Sequence, residues 1–215
     1  MTSGSVAPGS VAPGAPPGSV APGAPPGGPG KAPRAAGGGR WASTNPSSDG
    51  WPSALPVAVL QAFGSYRTCE LSTFARDGTP VTWPTTPLFQ RDEGRFVVGT
   101  AIGLNKKALH VRREPRIALL YSDSTASDQV NPPTVLVQGI AECPEELFVG
   151  GRLVRDYWRN IGRVQRLPWV FRMVMRRTRW YHVRLFIFIR PTRISWWLDG
   201  DVDAPPLVLE IPDVA

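Results

Sequence analysis

The chain has 215 residues and a formal net charge of +7, and its longest apolar run, Leu185–Ile189, is far too short to span a bilayer. Two cysteines, Cys69 and Cys143, exclude a disulfide scaffold and a four-thiolate zinc site, and the two histidines, His110 and His182, lack metal-ligand spacing. Because the N-terminus also lacks the basic and apolar regions of a secretory signal, we expect a cytoplasmic protein without a metal site.

The N-terminal segment is a repeat of small residues and proline. Residues 1–50 hold 12 of the 22 glycines and 10 of the 24 prolines, in units such as Gly4-Ser-Val-Ala-Pro8. Such a segment buries too little apolar surface to offset its ordering entropy, so residues 1–50 are predicted to be a disordered arm. The repeat favours a tether over a ligand for a proline-recognising partner. Residues 51–215 are predicted to form one domain.

The first half of that domain reads as a short helix followed by strands. Ser53–Phe63 has helical spacing of apolar residues, and β-forming segments follow at Tyr66–Ala75, Val81–Phe89 and Arg95–Thr100. Turn signals at Arg76-Asp-Gly-Thr79 and Arg91-Asp-Glu-Gly94 separate these segments, which predicts a three-stranded meander. Pro84 and Pro87 confine the middle segment to an edge or a bulge.

The turn from Thr100 into the next helix is the strongest local site in the sequence. Asn105 is a suitable N-cap for a helix over Lys106–Arg113, which ends before Pro115. The start of a helix attracts phosphate through its unpaired amides, and the Thr100 hydroxyl and the ammonium groups of Lys106 and Lys107 would add to it. A solvated first turn is the alternative. His110, further along this helix, is predicted to be a surface residue.

The second half combines strands with an arginine-rich block. Arg116–Tyr121, Thr134–Glu142, Tyr181–Ile189 and Thr192–Leu198 are predicted strands, so a mainly β fold, a β-barrel with covering helices, fits best. Residues 150–193 contain twelve arginines against Asp156 alone. Helical spacing places several of these arginines on one face: Arg152, Arg155, Arg159, Arg163 and Arg166. A solvated face is favoured over an anionic partner or a membrane, and nucleic acid is disfavoured.

Several segments, in order and spacing, resemble a known family. They are Leu71-Ser-Thr-Phe with Asp77-Gly-Thr-Pro80, Arg95-Phe-Val-Val-Gly-Thr100, Lys106-Lys107 ahead of Pro115-Arg-Ile-Ala-Leu-Leu120, Val135-Leu-Val-Gln-Gly139, and Pro191-Thr-Arg-Ile-Ser-Trp-Trp197. Together they are similar to the pyridoxamine 5′-phosphate oxidase-like, FMN-binding split β-barrels.

The resemblance implies a homodimer with two flavin sites at the subunit interface. It assigns Gly99 and Thr100 to the flavin's ribityl phosphate, with Lys106 and Lys107 as cationic partners. It also implies that the strand Trp83–Leu88, including Trp83 and Thr85, follows the ring system, and that Trp197 approaches from the other subunit. No catalytic side chain is assigned, because the flavin carries the hydride. Cys69 is interpreted as a packing residue and not a nucleophile.

The chain also departs from the vitamin B6 oxidases within that family. The Arg and Lys that bracket the strand corresponding to Trp83–Leu88 are missing, and Thr134 stands where a flavin-contacting Gln is expected. An acidic C-terminal tail replaces the terminal Arg-Leu-His motif, so synthesis of pyridoxal phosphate is disfavoured.

Two functional hypotheses follow from the resemblance and its departures. The first is an oxidoreductase that uses FMN or the deazaflavin coenzyme F-420 for hydride transfer to or from a small organic substrate. The alternative is a non-catalytic flavin-binding carrier or sensor, which docks an anionic partner or membrane through its arginine-rich segment. In neither hypothesis does the arm contribute to the flavin site.

Overall fold

The computed structural model describes residues 50–165 and 183–212, so the predictions for residues 1–49 and for Arg166 lie outside the described part. Within it are three α-helices: α1 (Val57–Ser65), α2 (Lys106–Arg113) and α3 (Arg152–Val164). The same residues form eight strands: β1 (Cys69–Phe74), β2 (Pro80–Thr85), β3 (Leu88–Gln90), β4 (Arg95–Ala101), β5 (Arg116–Tyr121), β6 (Thr134–Glu142), β7 (Arg184–Trp197) and β8 (Leu207–Glu210).

The strands form one curled antiparallel sheet, a half-barrel, which confirms the predicted mainly β fold with covering helices. Their order is β2-β1-β5-β6-β7-β4-β3, and β8 adds to β7. The two edge strands, β2 and β3, are joined by only residues 86 and 87. This short connection requires the ends of the sheet to approach each other, and it explains why the sheet is curled.

Side chains pack on both faces of the sheet. One core contains Val59 and Phe63 of α1, Val111 of α2, and alternate residues of β1, β4, β5, β6 and β7. Aromatic rings meet there, with the Phe63 centroid 4.9 Å from that of Phe96. A second, smaller cluster joins Val154 and Tyr157 of α3 to Val97 and Phe186 on the opposite face. The sheet therefore lies between α3 and the other two helices.

The predicted meander is wrong, because Val81–Phe89 is two strands and not one. β2 pairs with β1, whereas β3 pairs with β4 at the other end of the sheet. The break falls at Thr86 and Pro87, and proline has no N–H for a ladder. Two separate hairpins result, whose turns contain Gly78 and Gly94 at φ values of 85° and 56°.

The predicted pair of C-terminal strands is instead the single strand β7, which passes through Pro191. Pairing with β4 ends at Ile189 and pairing with β8 begins at Arg193, so Pro191 lies where β7 has only β6 beside it in the sheet. The register shifts there, because Gln138 of β6 pairs with Arg193 and Gly139 pairs with Pro191, which leaves Thr192 of β7 without a partner in this pairing. Because no strand pairs with β7 at Pro191 on the side where β4 lies, the N–H that proline lacks removes no hydrogen bond there.

Other boundaries differ less. The predicted helix Ser53–Phe63 is a 3₁₀ turn over Trp51–Ala54 followed by α1. Pro56 stands between the two, and it takes the place of the N-cap of α1. The acidic tail, for which no strand was predicted, contributes β8. None of the described helices is both long and apolar enough to cross a bilayer.

Candidate functional site

The site begins where β4 turns into α2. The Thr100 side chain is buried, and its hydroxyl donates a hydrogen bond to the Leu104 carbonyl at 2.7 Å. This bond closes the short turn that delivers the chain to Asn105. Asn105 occupies the predicted N-cap position, but its side chain makes no capping hydrogen bond. No side-chain cap therefore satisfies the amides of the first turn of α2.

Helix α2 runs along β1, and two hydrogen bonds and one electrostatic interaction define its direction. The ammonium of Lys107 lies within electrostatic reach of Cys69, at the start of β1. His110 Nδ1 lies 3.0 Å from Thr73 Oγ1, and Arg113 Nη2 donates to the Phe74 carbonyl at 2.8 Å, at the strand's end. The positively charged first turn is therefore at the Cys69 end of the strand.

Strand β2 brings two further predicted residues to this place. Thr85 is buried and pairs with Cys69, so it lies at the end of the hairpin that Lys107 approaches. The Trp83 indole donates from Nε1 to Thr73 Oγ1 at 3.3 Å, and its ring centroid is 6.3 Å from that of His110. The structure thus brings Trp83 and Thr85 beside the helix that carries Lys106 and Lys107.

The two lysines have different surroundings. Lys106 is exposed, whereas Lys107 is half-buried. Burial lowers the pKa of Lys107, and the charge on a Cys69 thiolate would act in the opposite direction. A partly desolvated ammonium gains most from an anionic partner, so Lys107 is the stronger candidate of the two for holding a phosphate.

Cys69 belongs to the core and not to the chemistry. Its side chain is buried, and burial raises the pKa of its thiol well above the usual value, with a further rise from Glu70. Tyr121 and Lys107 oppose this effect only partly. Because the thiolate is the reactive form, Cys69 has the environment of an inert packing residue.

Gly99 and Thr100 point to opposite faces of the sheet. Thr100 follows Phe96 and Val98 on the side of the large core, while Gly99 lies beneath the Tyr157 ring of α3. A Cβ added to Gly99 would be 2.7 Å from Tyr157 Cζ, and the tyrosine hydroxyl donates to the Gly99 carbonyl at 3.4 Å. Within this chain Gly99 is therefore a packing position, separated from the lysines.

Trp197 also lies away from the group around α2. It is on β7, four strands from Trp83 in the sheet order. Its indole Nε1 donates to the Ala204 carbonyl at 2.9 Å, which ties it to the loop that leads to β8. Its assignment to a flavin bound by the other subunit stays a prediction.

Two features of the site were missed by sequence reasoning. His110 is half-buried and hydrogen-bonded to Thr73, a contact that was not predicted. The connection between β2 and β3 is held from α3, where Asn160 Nδ2 donates to the Pro87 carbonyl at 3.1 Å and Gln165 Nε2 donates to Thr86 Oγ1 at 2.9 Å. The only available signal for the second feature was the presence of amides within an arginine-rich helix.

The donor set suits a phosphate-bearing group. Two ammonium groups and the uncapped amides of one helical turn are hydrogen-bond donors, and the neighbouring Trp83 offers a half-buried aromatic surface. No group of three or more His, Cys, Asp or Glu within residues 50–165 and 183–212 is arranged to hold a metal ion. The donors that the first turn of α2 offers are therefore suited to an anion.

Solved structures with a similar chain path were found at low sequence identity. A Clostridium acetobutylicum protein related to general stress protein 26, of the pyridoxinephosphate oxidase family, is 8% identical with a TM-score of 0.47, covering 71% of this chain and 91% of its own. An F420 reductase is 16% identical with a TM-score of 0.43, covering 66% and 98%. A heme-binding protein from Mycobacterium smegmatis is 17% identical with a TM-score of 0.44, covering 73% and 59%. No family model and no curated protein matches the chain.

Proposed function

We propose that this chain is a flavin-dependent oxidoreductase that binds FMN, or alternatively the deazaflavin coenzyme F-420, and transfers hydride to or from a small organic substrate. One observation carries the proposal. Helix α2, whose first turn carries Lys106 and Lys107, places His110 against Trp83, one of the residues that the motif resemblance assigns to the flavin ring. This contact supports a site in which α2 holds the phosphate and β2 follows the ring.

The roles of the residues follow from their surroundings. Lys107, and with it Lys106, would neutralise the phosphate, and the first amides of α2 would donate to it. Trp83 would provide a flat apolar surface, whose direction is set by its bond to Thr73. When bound, the flavin or deazaflavin ring supplies the hydride chemistry, and the protein supplies position and exclusion of water.

The proposal includes a homodimer, which the motif resemblance implies; Trp197 and Trp83 lie four strands apart in the sheet order. Trp197 of one subunit would then complete the site of the other. Sedimentation with and without FMN tests this: we expect a dimer, and a monomer in both conditions would contradict the shared site.

Cofactor titration is the direct test of the proposed function. We expect the protein to bind FMN or the deazaflavin coenzyme, with quenching of the ligand's fluorescence. Heme is the comparison ligand, since its Soret band reports binding separately. Failure of both FMN and the deazaflavin coenzyme to bind, or binding of heme alone, would reject the proposal.

The phosphate assignment is tested by removing the two charges. We expect Lys106→Gln/Lys107→Gln to weaken cofactor binding by roughly tenfold to a hundredfold, because charge-assisted hydrogen bonds are lost. The matched control is Arg91→Gln/Arg155→Gln, which removes two charges from exposed positions outside α2. Equal weakening in both variants would indicate a general charge effect and not a phosphate site.

A second candidate function is a non-catalytic flavin carrier that docks an anionic surface. The arginines on one face of α3 support it. Arg152, Arg155, Arg159 and Arg163 are all exposed, although Asp156 accepts ion pairs from Arg152 and Arg159 at 3.6 and 3.0 Å. This candidate would be favoured over the enzyme by three results together. The chain would bind vesicles containing phosphatidylserine, and replacing the four arginines by glutamine would abolish that binding. It would also bind the cofactor without turnover.

A further inference from the structure

We propose that His110 is a positioning residue that couples the occupancy of the Lys106/Lys107 anion site to the Trp83 indole, through the hydroxyl of Thr73. The proposal rests on the proposed function for the identity of the anion. The hydrogen-bond chain itself belongs to the protein alone and is tested without a cofactor.

The chain is centred on a buried hydroxyl. Thr73 is 1% exposed, and its Oγ1 lies 3.3 Å from Trp83 Nε1, 3.0 Å from His110 Nδ1 and 3.4 Å from the Val81 carbonyl oxygen. The indole N–H can only donate, so Thr73 accepts from Trp83 in every state. The single hydroxyl proton is left for either His110 or Val81.

The position of a proton on His110 decides between these two partners. When Nδ1 carries no proton, Thr73 donates to it, which is the shorter contact. When Nδ1 is protonated, as it always is in the imidazolium, His110 donates to Thr73 and the hydroxyl proton turns to Val81. Thr73 then accepts two bonds instead of one, and the Trp83 N–H shares the oxygen with a charged donor.

The charges around His110 make its protonation sensitive to a bound anion. Burial and the positive charges of Arg113 and Lys106 lower the pKa of His110. The contacting residues of β1 and β2, Thr73 and Trp83, are uncharged. Strands β6 and β7 also pack on α2, and their residues in the core that they share with α2 are apolar. Arg112 is directed to the carbonyls of Cys143 and Pro144.

A phosphate held by Lys106 and Lys107 weakens the positive field at the imidazole, because it neutralises the charge of Lys106, one helical turn away. Protonation of His110 is then favoured, and the Thr73 hydroxyl turns toward Val81. The indole that faces the ring end of the site is thereby linked to the phosphate end. The two residues are distant in sequence, since His110 follows Thr73 by 37 positions.

Proton NMR of the full chain tests the electrostatic half of the proposal. The chain has two histidines, so His110→Gln assigns the His110 resonance. We expect the pKa of His110 to rise by roughly one unit on saturation with FMN or the deazaflavin coenzyme, as an opposite charge nearby requires. Lys106→Gln should raise it in the free protein. Bound cofactor with an unchanged pKa overturns the inference and leaves the proposed function standing. If neither cofactor binds, the proposed function and the anion coupling both fall.

Tryptophan fluorescence tests the hydrogen-bond half without any ligand. The difference between the native chain and Trp83→Phe isolates the emission of Trp83. We expect the Trp83 emission to change with pH, with the midpoint measured for His110 by NMR. This pH dependence should be absent in His110→Gln and present in Thr73→Ser, which retains the hydroxyl. Thr73→Val should abolish it, and if that variant does not fold, Thr73→Ser and His110→Gln decide. A Trp83 emission that is independent of pH, or that titrates unchanged in His110→Gln, overturns the coupling.

Discussion

Gly99 shows how a motif residue can be required for packing. The Tyr157 ring covers its Cα so closely that a Cβ would lie 2.7 to 2.9 Å from three ring and hydroxyl atoms. The tyrosine is itself only 4% exposed, and it is fixed between α3 and Phe186, so it has little freedom to withdraw. The glycine of the Val-Val-Gly-Thr segment therefore permits α3 to approach β4.

The first prediction follows from this contact. We expect Gly99→Ala to lower the free energy of unfolding by about 1–3 kcal/mol, the usual cost of overpacking a core. Gly103→Ala is the control, because a Cβ there meets nothing within 4 Å. Urea denaturation of both variants is the measurement. Equal stabilities would mean that α3 adjusts freely above β4.

The second residue-scale prediction concerns acid stability. The pKa of His110 lies below its usual value near 6.5 in the folded chain, so the unfolded chain takes up a proton first as the pH falls. The stability contributed by neutral His110 is thus fully present above about pH 6.5 and is lost below it, until the folded form is protonated as well. His110→Gln is expected to lose less stability than the native chain between about pH 7.5 and 5.5. Urea denaturation at these two values checks it, and parallel losses would contradict it.

Residues of the site differ in how far the sequence could identify them. The place of Lys106 and Lys107 at the start of α2 was predictable, because two of the chain's three lysines directly follow an N-cap residue. Thr73 and His110 were not, because their contact depends on how α2 lies along β1. A helix can pack against a strand in many registers, and no local pattern near either residue selects one of them.

At the scale of elements, Gly139 is the point that joins β6 to β7. Its Cα faces the backbone of Arg190, and a Cβ would lie 2.2 Å from the Arg190 carbonyl oxygen. Backbone cannot rotate away as a side chain can, so the close approach of the two strands at the register shift depends on glycine. This approach is also what allows β7 to continue through Pro191.

The third prediction is that Gly139→Ala disrupts this pairing. We expect a loss of stability at least as large as that in Gly99→Ala, with the increase in amide hydrogen exchange concentrated in β6 and β7. Gly150→Ala serves as the matched control, since nothing lies within 4 Å of a Cβ there. Exchange that rises uniformly over all strands, without a focus at the register shift, would argue against a local break.

Element prediction was accurate where one strand or helix is bounded by its own signals. The bounds of α2, β5 and β6 agree with the prediction to the residue. It was wrong where the pairing of strands decides the bounds. Val81–Phe89 is divided because β2 and β3 pair with strands at opposite ends of the sheet. Strand β7 is continuous because it has a neighbour on only one side at Pro191. Strand β8 forms on β7 from a tail whose composition alone indicates no strand.

At the scale of the whole molecule, the described residues share a core that spans the sheet. Both cysteines belong to this core: Cys69 is the first residue of β1 and Cys143 follows β6. Their relative exposures are 2% and 5%. Burial also raises the pKa of both thiols. Reaction of either cysteine with a thiol reagent therefore requires an opening of the sheet that exposes the sulfur and lets it ionise.

The fourth prediction uses the two thiols as reporters of that opening. If the sheet opens as one unit, both cysteines should be labelled by a maleimide at the same rate, slower than in the unfolded chain by roughly a thousandfold or more. Arg112 binds the Cys143 and Pro144 carbonyls, so Arg112→Ala should speed labelling of Cys143 while leaving Cys69 slow. Mass spectrometry of Cys69→Ala and Cys143→Ala chains separates the two rates. Rapid labelling of Cys69 in otherwise native protein would show that the β1–β2 hairpin opens alone, and the Thr73–Trp83 pairing that the site depends on would then be transient.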